Sequence, residues 1–161
     1  MRKVRKPPAL NEFDRWGSRI SSKILAARKA DAAGRARLLR ESEWGATAFH
    51  VYGYVHQLER EQLFDELKQH LGRSSGPAPS DSGLVLRLVN KARPRNELLS
   101  PSQRSRQAAA LELARKLNIE PALILGFLCE IRSQKVVARM KPDSSKLVQF
   151  RSYQKNHLDN E

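Results

Sequence analysis

The chain is poor in cysteine and in aromatic residues. Among its 161 residues there is one cysteine, and aromatic residues make up 6%. The single Cys129 excludes an intramolecular disulfide and a thiolate zinc finger. It follows the apolar run 125–128, so we predict an inert core residue rather than a nucleophile. The helical spacing of the aromatic residues Phe13, Trp16, Phe49 and Phe64 predicts that they lie in the core. Tyr52, Tyr54 and Tyr153 are the candidates for stacking on unpaired bases, although they fit no known stacking motif.

Long apolar runs are also missing. No segment approaches the roughly 20 apolar residues that a membrane span requires. The charged start 1–8 is not followed by the apolar core of a signal peptide. We therefore expect a cytoplasmic protein that has no membrane partner.

The sequence lacks the motifs of the common catalytic and metal sites. It has no phosphate-cradling glycine loop, no Gly-x-Ser-x-Gly elbow and no carboxylate pair in an apolar setting. His50 and His56 are six residues apart, which points them in different directions on a helix, and no third ligand lies near them. We therefore expect no enzyme, no metal and no cofactor.

Positive charge is what the chain has in excess. There are 30 Lys and Arg residues against 17 Asp and Glu, a formal net charge of +13. Such an excess favours a polyanionic partner, and we interpret the chain as a nucleic-acid-binding protein that acts mainly through phosphate contacts, with DNA preferred to RNA. The predicted contact residues are Arg2, Lys3, Arg5, Lys6, Arg15, Arg19, Lys23, Arg28, Arg35, Arg37, Lys91, Arg93, Arg95, Arg104, Arg106, Arg139, Lys141 and Lys146. A basic face that is merely solvated remains the alternative for each cluster.

Apolar periodicity and loop composition predict a mainly α-helical chain in two units. The predicted segments are a basic arm at 1–8, a helical bundle at 9–72, a linker at 73–83, a second unit at 84–155 and a tail at 156–161. In the bundle we predict one helix from Asn11, a short second helix from Asp31, and a third helix over 47–71 that ends at Gly72.

The second unit is predicted to mix strands and helices. The branched run 84–89 favours a strand slightly over a helix. Ser100, Pro101 and Gln103 form a strong helix start, and Asn118 is suited to the left-handed turn that ends this helix. Glu120 and Pro121 then open another helix, and 135–140 with 147–153 predict a small β-hairpin.

Residues 113–127 resemble a helix-turn-helix motif. Ala114 is small enough for close helix contact, Asn118 tolerates the turn, and Leu117, Ile119 and Ile124 are apolar on both sides of it. With the predicted strand and hairpin, the unit resembles the winged-helix family. That resemblance implies that the second helix enters the major groove and that the hairpin contacts the backbone or the minor groove.

The start of that second helix does not suit base recognition. Glu120, Pro121 and Ala122 offer no donors to base edges, so this helix could instead pack on a partner or a second copy. The residues of such a docking surface are Leu123, Leu125 and Phe127. Residues 117–128 are also similar to the tail of ImmA/IrrE-type regulators, but the chain lacks their His-Glu-x-x-His motif, so no metal site or protease activity carries over.

Three roles stay open at this point. The favoured one is a DNA-binding regulator or accessory factor, and the high use of Arg and Ala suits a bacterial source. The alternative is a small non-catalytic subunit of a larger nucleoprotein or ribonucleoprotein assembly. The third role is a protein-interaction adaptor whose charge serves solubility.

Overall fold

The computed structural model describes residues 10–35, 41–73, 78–93 and 98–131, and within these ranges the fold is entirely α-helical. The helices are α1 (Leu10–Ala32), α2 (Glu43–Glu61), α3 (Phe64–Leu71), α4 (Asp81–Lys91), α5 (Pro101–Lys116) and α6 (Ile124–Ile131), with a 3₁₀ turn at Pro121–Leu123 before α6. These ranges contain no β-strand.

Helix α1 forms because its apolar residues recur on one face. Phe13, Ile20 and Ile24 are all buried, as their spacing predicts. The helix already includes Leu10 and continues through Asp31, where we predicted that a separate helix begins. The rest of that predicted second helix, 36–40, lies outside the described residues.

The predicted helix over 47–71 is two helices. Helix α2 starts earlier, where the Ser42 hydroxyl accepts a hydrogen bond from the Gly45 amide. It ends at Gln62, whose φ of 56° is left-handed. Glutamine carries no strong turn signal, so the sequence did not indicate this break. Gly72 ends α3, as predicted.

The predicted strand at 84–89 was wrong, because these residues lie in α4. The Ser80 hydroxyl accepts from the Gly83 amide and starts this helix. Helix α4 contacts α1, α2, α3 and α5, so apolar side chains are buried around most of its circumference. The buried apolar residues therefore follow one another at 84–86 and 88–89, and such a run resembles a buried strand.

The winged-helix architecture with a β-hairpin was therefore also wrong: the described fold is all-helical. The predicted hairpin residues, 135–153, lie outside the described residues. The helix boundaries near the turn are closer to prediction. The Ser100–Gln103 capping box is present, and Asn118 is left-handed with a φ of 54°. Pro121 opens the 3₁₀ turn, and α6 follows it.

One hydrophobic core joins α1 through α6 and includes residues on both sides of the predicted linker, from Phe13 to Phe127. Helices α1 and α4 approach closely, since a Cβ on Gly17 would lie 3.0 Å from the Leu88 carbonyl oxygen. This contact places the end of α4 beside the middle of α1.

Candidate nucleic-acid interface

The described residues carry only a small part of the net charge. They include 16 of the 30 cationic and 13 of the 17 acidic side chains, so they contribute +3 of the formal +13. The remaining +10 belongs to residues outside the described ranges. The predicted contact residues found there are Arg2, Lys3, Arg5, Lys6, Arg37, Arg95, Arg139, Lys141 and Lys146.

Arg28, one of the predicted contacts, is engaged within the fold. Its Nη2 lies 2.7 Å from Glu43 Oε1 and also donates to the Leu98 carbonyl. The hydrogen bond to Glu43 raises the pKa of Arg28. The Glu43 amide in turn donates to Asp31 at 2.9 Å. These bonds tie the end of α1 to the start of α2, so Arg28 acts in the fold.

The capping groups at the start of α5 are also bonded to each other. The Gln103 amide donates to the Ser100 hydroxyl, and the Ser100 amide donates to the Gln103 side chain. Arg104 and Arg106 are half-buried, and their Nε atoms are buried without a described partner. The Gln103 amide, which would otherwise attract a phosphate to this helix end, is therefore already bonded to the cap.

The exposed cations gather along α1 instead. Arg15, Arg19 and Lys23 follow one another at intervals of four residues, which places them about 6 Å apart along one face of the helix. Arg93, just after α4, joins this row because its Nη2 lies 3.4 Å from Ser22 Oγ. We call Arg15, Arg19, Lys23 and Arg93 the α1 basic face.

Further exposed cations lie near this face in the sequence. Lys29 is on the last turn of α1, Arg35 follows α1, and Lys91 is on the last turn of α4. Arg35 and Lys91 were predicted contacts, and Lys29 belongs to the same basic segment as Arg28. All three side chains are exposed.

The α1 basic face has no ion pair to another described residue. The acid next to Arg15 in sequence is Asp14, whose Oδ1 lies 2.8 Å from His70 Nε2 rather than on a cation of this face. Arg115 shows the opposite situation: its guanidinium lies 2.9 Å from Glu112, 3.1 Å from Asp81 and 3.4 Å from Glu59. We did not predict this cluster, which joins α2, α4 and α5, because Glu59 and Asp81 are distant from Arg115 in sequence.

The described tyrosines do not offer stacking surfaces. Tyr52 is fully buried and donates to the Ile119 carbonyl at 2.6 Å. Tyr54 is also buried and stacks on Trp16 with 4.8 Å between ring centroids. Burial raises the pKa of both phenols. Their predicted contact with unpaired bases was therefore wrong, while Tyr153 lies outside the described residues.

Phe49 was predicted in the core, but 48% of it is exposed. Helix α2 turns Val51, Val55 and Leu58 toward the core and leaves Phe49 on the opposite side. The sequence did contain a sign of this, because Phe49 does not share the spacing of those three residues.

The predicted docking surface on α6 is smaller than expected. Phe127 is fully buried, together with Ile124 and Leu128, whereas Leu123 and Leu125 are half-buried against the core. Helix α6 therefore uses its main apolar face within the fold. Ala122 and Gly126 are exposed there and offer no donors to base edges.

The described residues contain no group of His, Cys, Asp and Glu that could hold a metal ion. A pocket of about 520 Å³ lies between α3 and α4 and is lined by Lys68, Arg73 and Arg87 among others. Arg87 donates to the carbonyls of Leu71 and Gly72, so it caps the end of α3. No helix in the described part of the chain has the length and apolar character of a membrane span.

Comparisons with protein-family models, with curated proteins and with solved structures give no match. A functional assignment therefore depends on the side chains of this chain alone.

Proposed function

We propose that the protein binds nucleic acid through its phosphate backbone and that the α1 basic face is a principal contact. The observation that carries this proposal is the row of exposed cations without described ion-pair partners on α1 and at the end of α4. Arg15 to Lys23 spans about 12 Å, a length over which a DNA duplex presents about seven phosphates. Arg28, Arg87 and Arg115 are bonded to partners within the fold, so the proposal does not include them.

The proposed binding does not depend on base sequence. The second helix of the helix-turn-helix-like segment buries Ile124, Phe127 and Leu128 in the core. No arginine, lysine, asparagine or glutamine lies on its described part. Contacts with phosphates position a protein on nucleic acid without reading its bases. An accessory DNA-binding factor without catalytic activity suits this arrangement better than a regulator that selects one operator.

A salt titration with two charge-matched variants tests the proposal. The first variant, Arg15→Gln, Arg19→Gln and Lys23→Gln, removes three cations from the α1 basic face. The control, Arg60→Gln, Lys68→Gln and Lys116→Gln, removes three exposed cations from three different helices. Both variants have the same net charge, so a difference between them reports position rather than total charge.

Binding to two duplexes of unrelated sequence is measured between about 50 and 200 mM salt. We expect the slope of log K against log salt to become shallower by about 2.7 for the first variant, since each lost phosphate contact removes about 0.9. The control should change the slope far less. Equal slopes for the two variants would overturn the assignment of the face, and no binding by the natural chain at low salt would overturn nucleic-acid binding itself.

A further inference from the structure

Phe49 is the one large hydrophobic side chain that is exposed among the described residues. It lies in the second turn of α2, and its ring meets His50 edge-on, with centroids 5.2 Å apart and an angle of 86°. Trp16 and Tyr54, in contrast, stack on each other. The ring of Phe49 therefore keeps much of its surface in water.

The next turn of α2 leaves space over this ring. A side chain on a helix leans toward the N-terminus and covers the turn before its own Cα, so residue 53 would cover residue 49. Residue 53 is glycine, and a Cβ built there would meet no atom within 4 Å. The missing side chain leaves open space on α2 one helical turn after Phe49.

This place borders the α1 basic face. His50 lies between the two features, because its ring contacts Phe49 and because α1 runs alongside α2, with Arg28 on Glu43 and Trp16 on Tyr54, which brings Lys23 level with His50. Burial and Lys23 both lower the pKa of His50, so its ring is neutral at neutral pH. Along the surface, the cation Lys23 is followed by the neutral ring of His50 and then by the exposed ring of Phe49.

We infer that Phe49 is a stacking platform for an unpaired base of a single strand whose phosphates contact the α1 basic face. This inference rests on the proposed function and names the substrate class more closely: a single strand, which should bind more tightly than a duplex of the same length because it adds a stacked base to the phosphate contacts. Bases in a duplex are already stacked on their neighbours and cannot lie on a side chain, whereas a single strand offers its bases to any aromatic ring beside a basic groove.

A protein partner is a weaker explanation of the exposed ring. A stable protein interface buries about 800 Å² on each partner and centres on a cluster of apolar side chains. Phe49 is flanked by Gly53 and by the polar His50, and its own helix provides no second exposed large apolar residue. An aromatic ring beside cations is the combination that single-strand-binding proteins use.

The test compares a single strand of about 15 thymidines with a duplex of the same length at one salt concentration. Phe49→Ala should lower the affinity for the single strand by about 5- to 150-fold, the usual loss for one stacked base, and leave duplex affinity within about twofold. Phe49→Trp should retain or increase single-strand affinity. Because Phe49 is half in solvent, both variants are expected to fold, which thermal unfolding checks.

Two further variants separate stacking from apolar contact and from damage to the helix. Phe49→Leu keeps an apolar side chain without a ring, so it should lose affinity almost as Phe49→Ala does. Gly53→Leu keeps Phe49 but covers it, and should weaken single-strand binding without destabilising α2, whereas Gly53→Ala should have little effect on binding.

The outcomes distinguish this inference from the proposed function. Equal loss of single-strand and duplex affinity in Phe49→Ala, or full affinity in Phe49→Leu, would overturn the stacking platform. If the Phe49 variants bind both polymers normally while the α1 face variant fails, phosphate binding stands and the platform does not. If the natural chain binds neither polymer, both proposals fail.

Discussion

Gly17 and Gly53 lie inside neighbouring helices but in opposite surroundings. A Cβ at Gly53 would meet only solvent, whereas a Cβ at Gly17 would lie 3.0 Å from the Leu88 carbonyl oxygen and 3.1 Å from its Cγ. We expect Gly53→Ala to raise the free energy of unfolding by about 0.5–1 kcal/mol, because alanine loses less backbone entropy in a helix. Gly17→Ala should lower it by about 1–3 kcal/mol, because α1 and α4 must separate to admit the methyl group.

Urea unfolding of the two variants measures this difference, and each variant is the control of the other, since both make the same chemical change in a helix. A stabilised Gly17→Ala would show that α1 and α4 do not pack as closely as the structure has them.

Single residues also show which parts of the candidate site the sequence could predict. The intervals of Arg15, Arg19 and Lys23 place them off the apolar stripe of α1, and their exposure confirms that reasoning. Arg28 belongs to the same stretch of sequence but is paired with Glu43, fifteen residues away. Whether a basic side chain can contact a phosphate depends on such distant partners, and the periodicity of the sequence does not reveal them.

At the scale of the helices, the start of α5 gives a direct test of local stabilisation. The Ser100 hydroxyl accepts from the Gln103 amide at 3.2 Å, and the Gln103 side chain accepts from the Ser100 amide at 2.9 Å. We expect Ser100→Ala to lower the free energy of unfolding by about 1 kcal/mol, since it leaves an amide of the first turn without its partner. The measurement is chemical unfolding.

Ser102→Ala is the matched control, because Ser102 is exposed in the same turn and its side chain makes no described hydrogen bond. It should change the free energy of unfolding by less than about 0.5 kcal/mol. Equal effects of the two substitutions would mean that the capping box contributes nothing beyond the helix preference of alanine.

Helix ends were predictable where one residue determines the local geometry. Ser100, Gly72 and Asn118 are such residues, and each has its predicted role. The prediction of a strand over 84–89 was wrong for a different reason. Helix α4 is surrounded by other helices, and this burial is determined by the tertiary fold alone. The break at Gln62 was not predicted either, since glutamine has no preference of its own for the left-handed backbone that it adopts there.

At the scale of the whole molecule, charge and core are distributed differently along the chain. The core runs through the described helices on both sides of the predicted linker, whereas most of the net charge belongs to residues outside the described ranges. A polyanion that binds the α1 basic face is therefore also attracted by residues such as those of 1–8. Total charge alone predicts attraction to a polyanion. Only the difference between the α1-face variant and its charge-matched control shows which residues contact it.

Two half-buried histidines predict how the stability of the whole fold depends on pH. Burial is the main cause that lowers the pKa of both His50 and His56 from 6.5, and Lys23 adds to the effect at His50. Near His56, Glu59 and Glu120 act in the opposite direction, while Arg115 and Arg60 act in the same direction as burial. Between 6.5 and the lowered values, the unfolded chain binds more protons than the folded chain, so the free energy of unfolding must rise with pH.

We therefore expect the full contribution of these histidines above a pH of about 6.5 and its loss as the pH falls from there through their lowered pKa values. Glu112, whose pKa is lowered from 4.5, loses its contribution only at more acidic pH, so it does not obscure this window. The double variant His50→Gln and His56→Gln separates the histidines from the general repulsion within a chain of net charge +13, which also grows on acidification. Urea unfolding at several pH values should give a flatter profile for the double variant than for the natural chain. Parallel profiles would mean that both imidazoles are protonated as easily in the folded chain as in the unfolded one, and hence that water reaches them more freely than their burial indicates.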